Sequence, residues 1–252
     1  MSESAIMPGG EPFSAPGGPH GALVLHGFTG TPQSMLGLGH ALTDAGFAVE
    51  LPRLPGHGTS PEDMVTTSWA DWSGAAEAAY EKLAANCDHV VVVGLSMGGT
   101  LTAWLATRHP EIAGIVVING MIEPAPPSLR EMLDMMVAQQ VTEVPSIGSD
   151  IALPGSAEVS YDRVPVSCIM SLLNELEELK TQLGAITSPA LIFTSPEDHV
   201  VPPVSGDTLA AGVAGPVERV TLERSYHVAT LDYDRELIER ETVAFALRVS
   251  GG

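Results

Sequence analysis

Short apolar runs recur along the chain and are separated by longer segments in which apolar residues repeat at helical spacing. The most apolar run, HVVVVG at 89–94, lacks polar alternation, so we expect a strand buried on both faces of a sheet. The other runs predict a short edge strand at 11–14 and longer strands at 22–27, 47–51, 112–119, 189–195 and 217–223. The intervening segments predict helices at 32–45, 68–86, 96–109, 203–212 and 234–248. This order predicts an α/β fold, with a mostly parallel central sheet and helices on both faces.

The alternation of strands and helices stops after residue 120 and resumes at residue 187. Between these points lie two helical patterns, SLREMLDMMV and SCIMSLLNELEELKTQL, joined by a stretch rich in Pro, Ser and Gly. We therefore predict a core domain formed by 1–120 and 187–252, and a helical cap formed by 121–186. The apolar stripes of both helices indicate packing on the main domain. Five methionines in the insertion would also suit a surface that admits alkyl chains: Met121, Met132, Met135, Met136 and Met170.

The charge of the chain limits its partners. The formal net charge is −20, from 31 acidic and 11 basic residues, which argues against nucleic acids and anionic lipids and favours an uncharged substrate. No apolar run is long enough to span a membrane, and the opening MSESAIMPGGEPF lacks the features of a signal peptide. Cys87 and Cys168 show no metal-ligand spacing. We therefore expect a cytoplasmic protein that uses no metal and no cofactor.

A candidate nucleophile lies where the most apolar strand meets the next helix. The motif GLSMGG, residues 94–99, has the G-x-S-x-G pattern of a nucleophile elbow, a sharp turn that exposes a serine between strand and helix. Gly94 and Gly98 leave room for the close chain approach that this turn needs. The same pattern also occurs by chance in ordinary tight turns. The strand–turn–helix context favours Ser96 as a nucleophile.

A serine hydroxyl needs a base, and the base needs an acid that orients it. In this architecture the chain order is serine, acid, histidine. Asp198 follows the last but one predicted strand and His227 follows the last, at the edge where α/β sheets place their sites. Glu197 and Asp207 are alternative acids, although Asp207 falls within a predicted helix. The sequence therefore predicts a Ser96–Asp198–His227 triad.

The oxyanion that forms during acyl transfer needs hydrogen-bond donors. The backbone N–H of Met97, directly after the nucleophile, is one candidate. The loop HGFTG, after the first inner strand, offers the backbone N–H of Phe28 as the second. We expect His26 in this loop, and His57 in the segment PGHG, to brace their own loops rather than transfer protons.

Several segments together resemble the bacterial monoacylglycerol lipases and their carboxylesterase relatives in the α/β-hydrolase superfamily. These segments are HGFTGTPQSM, LPRLPGHGTSPEDM, DHVVVVGLSMGGTL, PALIFTSPEDHVVPP and SYHVATLDYD. The resemblance covers nearly the whole chain and implies an α/β-hydrolase fold with a helical cap and the same triad. In such lipases the cap shapes an acyl tunnel and a small polar pocket for glycerol. The resemblance places this pocket at Asn119, Ile147 and Glu158.

These features predict a serine hydrolase that cleaves carboxylic esters, with monoacylglycerols as the favoured substrates. The main alternative is a broad carboxylesterase without glycerol recognition, in which Glu158 is one more solvated acid. A peroxidase-like or carbon–carbon-bond hydrolase, or a non-catalytic small-molecule binder, could use the same fold. We expect a small ester as partner, no nucleic acid, no integral membrane segment, and transient contact of the cap with a lipid surface. The sequence leaves the oligomeric state open.

Overall fold

Within residues 4–251, which a computed structural model describes, seven strands form the central sheet. Residues 1–3 and 252 of the predicted core and N-terminal segment lie outside the described residues. The strands, including a separate pair in the insertion, are β1 Phe13–Ala15, β2 His20–Leu25, β3 Ala48–Leu51, β4 His89–Leu95, β5 Gly114–Ile118, β6 Glu143–Pro145, β7 Arg163–Pro165, β8 Ala190–Thr194 and β9 Val217–Thr221. The helices are α1 Leu36–Asp44, α2 Pro61–Met64, α3 Trp69–Ala84, α4 Met97–Ala106, α5 Pro127–Ala138, α6 Val166–Gln182, α7 Val204–Gly212 and α8 Arg235–Val249.

The central sheet has the strand order β1–β3–β2–β4–β5–β8–β9. The edge strand β1 runs antiparallel to β3, and the other neighbouring strands are parallel. One face of the sheet is covered by α1 and α8, and the other by α3 and α4. Such parallel strands require crossover connections, which the helices supply. The predicted mostly parallel sheet with helices on both faces is confirmed.

Each face of β4 packs against a separate hydrophobic core. This agrees with its sequence, which shows no alternation of polar and apolar residues. Val90 and Val92 pack in the cluster that contains α3 and α4, whereas Val91 and Val93 pack in the cluster that contains α1 and α8. Successive side chains of a strand point to opposite faces, so an unbroken apolar run fills both cores. The sequence of β4 thus accounts for its central position, which brings the motif after it to the middle of the sheet edge.

The structure differs from the sequence-based predictions mainly in short elements. The helix predicted at 32–45 begins with a separate 3-10 turn, Pro32–Met35. A single helical turn, α2, lies in a predicted loop, where the Ser60 hydroxyl caps its N-terminus. The antiparallel pair of β6 and β7 lies in a stretch predicted to be irregular. These elements have too few residues to show a period, so the sequence pattern does not reveal them.

The two helices of the insertion differ in how much of their surface is covered. Leu172 and Leu179 of α6, and Leu183 directly after it, belong to the predicted stripe and pack in the core cluster, so this helix is packed on the main body as expected. In α5 only Leu133 is buried, while Met135 is 58% exposed. The division into a core domain and a cap at 121–186 remains a prediction.

The methionines of the insertion lie in different surroundings. Met121 lines the main cavity, whereas Met136 and Met170 pack against the small cluster between α5 and α6. Met132 and Met135 are exposed. Of the five, Met121 is therefore the one that the structure places where an alkyl chain could lie.

The turn from β4 into α4 excludes side chains at two of its positions. A Cβ atom on Gly94 would lie 2.0 Å from Gly98 O, and one on Gly98 would lie 2.2 Å from Leu25 O. Both contacts involve backbone atoms, which cannot yield unless β2 or α4 shifts. Glycine at these positions is therefore a condition for packing α4 against the sheet.

We expect Gly98→Ala to lower the midpoint of thermal unfolding sharply or to prevent folding, because the added methyl group overlaps Leu25 O. Gly74→Ala is the matched control, since Gly74 lies in α3 with nothing within 4 Å of an added Cβ. Alanine there should raise the free energy of unfolding by about 0.5–1 kcal/mol. Scanning calorimetry measures both changes. Small and equal effects at the two positions would contradict the close approach.

Candidate active site

The three residues of the predicted triad follow three strands at one edge of the sheet. Ser96 follows β4, Asp198 lies after β8, and His227 lies after β9. The carboxyl ends of parallel strands meet at a single edge, where α/β proteins bind their ligands. The structure brings Asp198 into contact with His227 and places Ser96 and His227 on the wall of the same cavity.

Ser96 has a strained backbone, with φ 55° and ψ −119°. A positive φ is uncommon for a residue with a Cβ atom and costs on the order of 1–3 kcal/mol. The N–H of Ser96 donates to Ile118 O at 3.0 Å, and its carbonyl oxygen accepts from Thr100 N at 3.1 Å. Hydrogen bonds to β5 and α4 therefore hold the strained turn at the cavity wall.

His227 and Asp198 form a close, buried pair. Nδ1 of His227 lies 2.7 Å from Oδ2 of Asp198, and their side chains are 8% and 2% exposed. The other oxygen of Asp198 accepts from the backbone N–H groups of Val200 and Val201, both at 2.8 Å. With Nδ1 donating to the carboxylate, Nε2 is the nitrogen that can accept a proton. The described residues form no hydrogen bond between Ser96 Oγ and the imidazole, a contact that often tightens only when substrate binds.

The alternative acids lie elsewhere. Glu197 is exposed on the surface, and Asp207 lies in α7, where it pairs with Arg219 at 2.7 Å. Of the three carboxylates considered from the sequence, Asp198 is the one in contact with His227.

The backbone N–H groups of Phe28 and Met97 belong to the two segments that meet at Ser96. Gly27, which precedes Phe28, is so close to the serine that an added Cβ would lie 3.4 Å from Ser96 Cβ. Met97 is the first residue of α4, and N–H groups in the first turn of a helix have no partner within the helix. Both amides are therefore in segments from which they could donate to a group bound at Ser96.

His26 fixes the peptide group that carries the Phe28 N–H. Its Nδ1 donates to Gly27 O at 2.9 Å, and its Nε2 accepts from Leu54 N at 3.1 Å. Burial, together with the neighbouring His57, lowers the pKa of His26 to about 3, so the ring is neutral and can make both bonds. The carbonyl of Gly27 and the N–H of Phe28 belong to the same peptide plane. His26 thus braces its loop, as expected from the sequence.

His57 is likewise a structural residue. Its Nδ1 lies 2.9 Å from Pro55 O, which ties down the loop that contains it. Burial lowers the pKa of His57 to about 4, so this ring is neutral as well. Its ring packs edge-on against His26, Phe28 and Trp72.

A cavity of about 310 Å³ opens beside Ser96 and His227. Most of the side chains around it are apolar, and most of these come from the insertion: Met121, Leu129, Val144, Pro145, Ile147, Val164, Ile169, Leu172 and Leu173. Its polar lining residues are few: Thr29, Ser96, Ser146, Glu158 and His227. A mainly apolar cavity with few polar groups suits a ligand that combines a hydrocarbon part with a small polar part.

Glu158 brings a carboxyl group into this cavity. Its Oε1 lies so close to Gly30 that a Cβ there would approach it to 2.5 Å. Gln33 holds the backbone on both sides of Glu158, since it donates to Ala157 O at 3.1 Å and accepts from Val159 N at 3.0 Å. Burial raises the pKa of Glu158 to about 7, although the nearby His227 opposes the shift. The group therefore changes charge near neutral pH.

Ile147 and Asn119, the other residues expected in a glycerol pocket, differ in placement. Ile147 lines the cavity and is 70% exposed, so it lies at an open part of the wall. Asn119 does not line this cavity. Its Nδ2 donates to Ser195 Oγ and to His227 O, both at 2.9 Å, and its Oδ1 accepts from Ser195 N at 2.8 Å. With both amide hydrogens engaged in this way, Asn119 braces the backbone at His227, and its expected contact with glycerol stays a prediction.

Sequence reasoning missed the residues that hold the loops of the site. Gln33 was assigned only to a helix, and Asp150 and Asp232 were not singled out among the 31 acidic residues. Both aspartates accept hydrogen bonds from backbone N–H groups next to or at His227. No local pattern marks them, because their partners are distant in the sequence.

Two other kinds of feature, a metal centre and a membrane span, are absent from the described residues. No group of three or more His, Cys, Asp or Glu side chains in residues 4–251 is placed to hold a metal ion. Over the same range, none of the helices has both the length and the apolar character needed to cross a membrane.

Comparison with known proteins gives full-length matches. The chain is 44% identical over 261 aligned residues to a thermostable monoacylglycerol lipase of Bacillus sp. strain H-257, covering 100% of both chains. It is 26% identical to a carboxylesterase of Bacillus subtilis strain 168, covering 93% of this chain and 95% of that protein. A solved structure from work on LipS and LipT, two metagenome-derived lipolytic enzymes, has 41% identity and a TM-score of 0.93. It covers 97% of this chain and 100% of its own.

The family model described as serine aminopeptidase, S33, matches residues 19–234. Its match covers all of the central sheet except β1, together with the whole insertion. These matches confirm the resemblance and the α/β-hydrolase fold expected from the sequence. The chain belongs to the serine aminopeptidase S33 family of the α/β-hydrolase superfamily.

Proposed function

We propose that the protein is a serine hydrolase that cleaves carboxylic esters, with Ser96 as nucleophile, His227 as base and Asp198 as the orienting acid. The observation that carries this proposal is that His227, paired with the buried Asp198, and the strained Ser96 lie on the wall of one largely apolar cavity. The similarity to a monoacylglycerol lipase and to a carboxylesterase supports the reaction class.

The reaction runs through an acyl-enzyme. Nε2 of His227 takes the proton from Ser96 Oγ as this oxygen attacks the ester carbonyl. The imidazolium formed is stabilised by Asp198, and it then gives its proton to the leaving alcohol. A water molecule, deprotonated by the same histidine, attacks the acyl-enzyme and releases the carboxylic acid. The oxyanion of both tetrahedral intermediates is held by the backbone N–H groups of Phe28 and Met97.

Monoacylglycerols are the substrates that fit the cavity best. The apolar side chains of the insertion supply a surface for the acyl chain, and Glu158 supplies an acceptor for the glycerol hydroxyls. A hydroxyl group that enters a closed site without a partner costs on the order of 1–3 kcal/mol, so an acceptor is needed there. Ile147 completes the wall beside this group. Asn119 acts indirectly, because its amide holds the carbonyl oxygen of His227.

Location and lipid contact are part of the same proposal. The two cysteines are free, which fits a reducing, cytoplasmic environment. Exposed apolar side chains on the insertion, among them Met135, Val137 and Ile147, suit a transient contact with a lipid surface.

Ser96→Ala should lower kcat for ester hydrolysis by roughly 10⁴-fold or more and leave the fold intact, because only the nucleophile is removed. The measurement is p-nitrophenyl ester turnover, together with circular dichroism of the variant. Ser195→Ala is unsuitable as a control, since Ser195 binds Asn119. Ser4→Ala is the control, because Ser4 is exposed, and it should leave turnover unchanged. Activity of Ser96→Ala within tenfold of the wild type would overturn the mechanism.

Glu158→Ala should lower kcat/KM for monoacylglycerols by roughly ten- to a hundredfold, which corresponds to one lost hydrogen bond. The propyl ester of the same fatty acid lacks the two glycerol hydroxyls and should change little. A parallel loss on both esters would show that Glu158 is structural. No change on either ester would favour a broad carboxylesterase without glycerol recognition.

The preference for the glycerol ester should also depend on pH. Because the pKa of Glu158 is about 7, its carboxyl group ionises as the pH rises through this value and becomes a stronger acceptor. The ratio of kcat/KM for the glycerol ester to that for the propyl ester should therefore rise between pH 6 and pH 8 (roughly one unit on either side). His227 serves both substrates, so a pH effect that acts through the base cancels from the ratio. In Glu158→Gln the ratio should be flat, and a rise that persists there would assign the effect to another group.

A further inference from the structure

Two irregular segments beside the cavity are joined by two carboxylates, Asp232, which is fully buried, and Asp150, whose side chain is 12% exposed. We call residues 149–158 the cap strap and residues 224–234 the histidine loop. The cap strap carries Glu158 to the cavity, and the histidine loop carries His227. Neither segment contains an α-helix or a sheet strand, and several of their backbone N–H groups donate to side-chain carboxylates.

Asp232, at the end of the histidine loop, accepts four backbone hydrogen bonds. Its Oδ1 accepts from Leu153 N at 2.9 Å and from Tyr233 N at 2.8 Å. Its Oδ2 accepts from Ala152 N at 2.7 Å and from Tyr226 N at 2.9 Å. Each oxygen therefore bonds one N–H of the cap strap and one N–H of the histidine loop. The residue is fully buried, and four donors use the whole accepting capacity of a carboxylate.

Asp150 lies on the cap strap and accepts hydrogen bonds from the histidine loop, whereas Asp232 lies on the histidine loop and accepts hydrogen bonds from the cap strap. Its Oδ2 accepts from the backbone N–H of His227 and from that of His199, both at 3.1 Å. Its Oδ1 lies 2.9 Å from Nδ1 of His199, and its carbonyl oxygen accepts from Val228 N at 3.0 Å. Asp150 thus contacts the backbone of the proposed base, whereas Asp198 contacts its imidazole.

These contacts set the position of two functional groups at once. A shift of the cap strap would break the bonds of Ala152, Leu153 and the Asp150 carboxylate together, and would leave buried donors and charges unpaired. The strap therefore cannot move away from His227 without a large cost. Glu158 lies on the same strap, and so its distance from His227 is fixed by the same bonds.

We propose that Asp150 and Asp232 are positioning residues that lock the cap strap to the histidine loop. They thereby keep Glu158, on the alcohol-binding side of the cavity, and His227 at a fixed distance and orientation. The part of this proposal that concerns the alcohol pocket rests on the proposed function. The mechanical coupling does not, because it depends only on the hydrogen bonds described.

Asp234 provides a matched control within the histidine loop. It is buried like Asp232, and its Oδ2 accepts from Arg224 N at 3.0 Å and from Ser225 Oγ at 2.9 Å. Both of these partners lie in the histidine loop, so Asp234 stabilises the loop without touching the cap strap. Asp162 is an exposed acid of the insertion, with a side chain 89% exposed, and serves as the neutral control.

The experiment compares Asp232→Asn, Asp150→Asn, Asp234→Asn and Asp162→Asn. An asparagine at 232 keeps one oxygen and turns an NH₂ group towards two N–H donors. Asp232→Asn and Asp150→Asn should each lower kcat for p-nitrophenyl acetate roughly tenfold or more, because the base is misplaced. Both should also raise KM for a monoacylglycerol relative to the propyl ester of the same acid. Asp234→Asn should change kcat for the two esters in parallel and leave their KM ratio unchanged, and Asp162→Asn should change neither.

Hydrogen exchange of individual amides supplies the readout that does not depend on activity. In the wild type the amides of Ala152, Leu153 and Tyr226 should exchange slowly and at similar rates, since one carboxylate protects them. Asp232→Asn should accelerate all three, whereas Asp234→Asn should leave Ala152 and Leu153 protected. If Asp232→Asn does not fold, Asp150→Asn decides the proposal through the exchange of the His227 and Val228 amides together with the KM ratio.

The outcomes separate the two levels of the proposal. If Ser96→Ala retains activity, the proposed function fails, while joint acceleration of the strap and loop amides would still support the lock. If the wild type is an esterase that needs Ser96, but Asp232→Asn and Asp150→Asn behave like Asp234→Asn, the lock is overturned. The lock is also overturned if Asp232→Asn accelerates hydrogen exchange of the Tyr226 amide but not of the Ala152 and Leu153 amides.

Discussion

The close approach of α4 to the sheet is the constraint on which the site depends. The turn after β4 is so tight that Gly94 and Gly98 contact backbone atoms directly, and Ser96 between them takes a positive φ. Such strain is tolerated because β4 is buried on both faces and paired on both edges, which leaves the turn no alternative path. The same geometry that costs conformational energy places the serine at the cavity wall beside His227.

Around this rigid centre, the other groups are held by loops whose polar atoms are paired with one another. Asp198 is anchored by two backbone N–H groups of its own loop, and Asn119 ties the end of β8 to the histidine loop. Asp150 and Asp232 connect that loop to the cap strap. The catalytic edge is thus a set of irregular segments fixed by buried side chains, with a mainly apolar cavity enclosed between them.

The features that sequence reasoning predicted are those with a local cause. The unbroken apolar run of β4 indicated a central strand, and the motif after it, together with the order of Asp198 and His227 after later strands, indicated the residues that the structure brings to one edge. The bracing contacts of Asn119 were not predicted, because its partners Ser195 and His227 are more than seventy positions away in the sequence. Asp232 could not be distinguished from the other acids for the same reason. Short elements such as β6 and β7 were missed because three residues cannot display a period.

The central claim is that ester hydrolysis proceeds through an acyl group carried by Ser96. The most direct measurement is mass spectrometry of the protein quenched in acid during turnover of a p-nitrophenyl ester, followed by peptide mapping. We expect a mass increase equal to one acyl group on the peptide that contains Ser96, and no increase in Ser96→Ala. Turnover by the wild type with the acyl group on another residue, or with undiminished activity in Ser96→Ala, would contradict it.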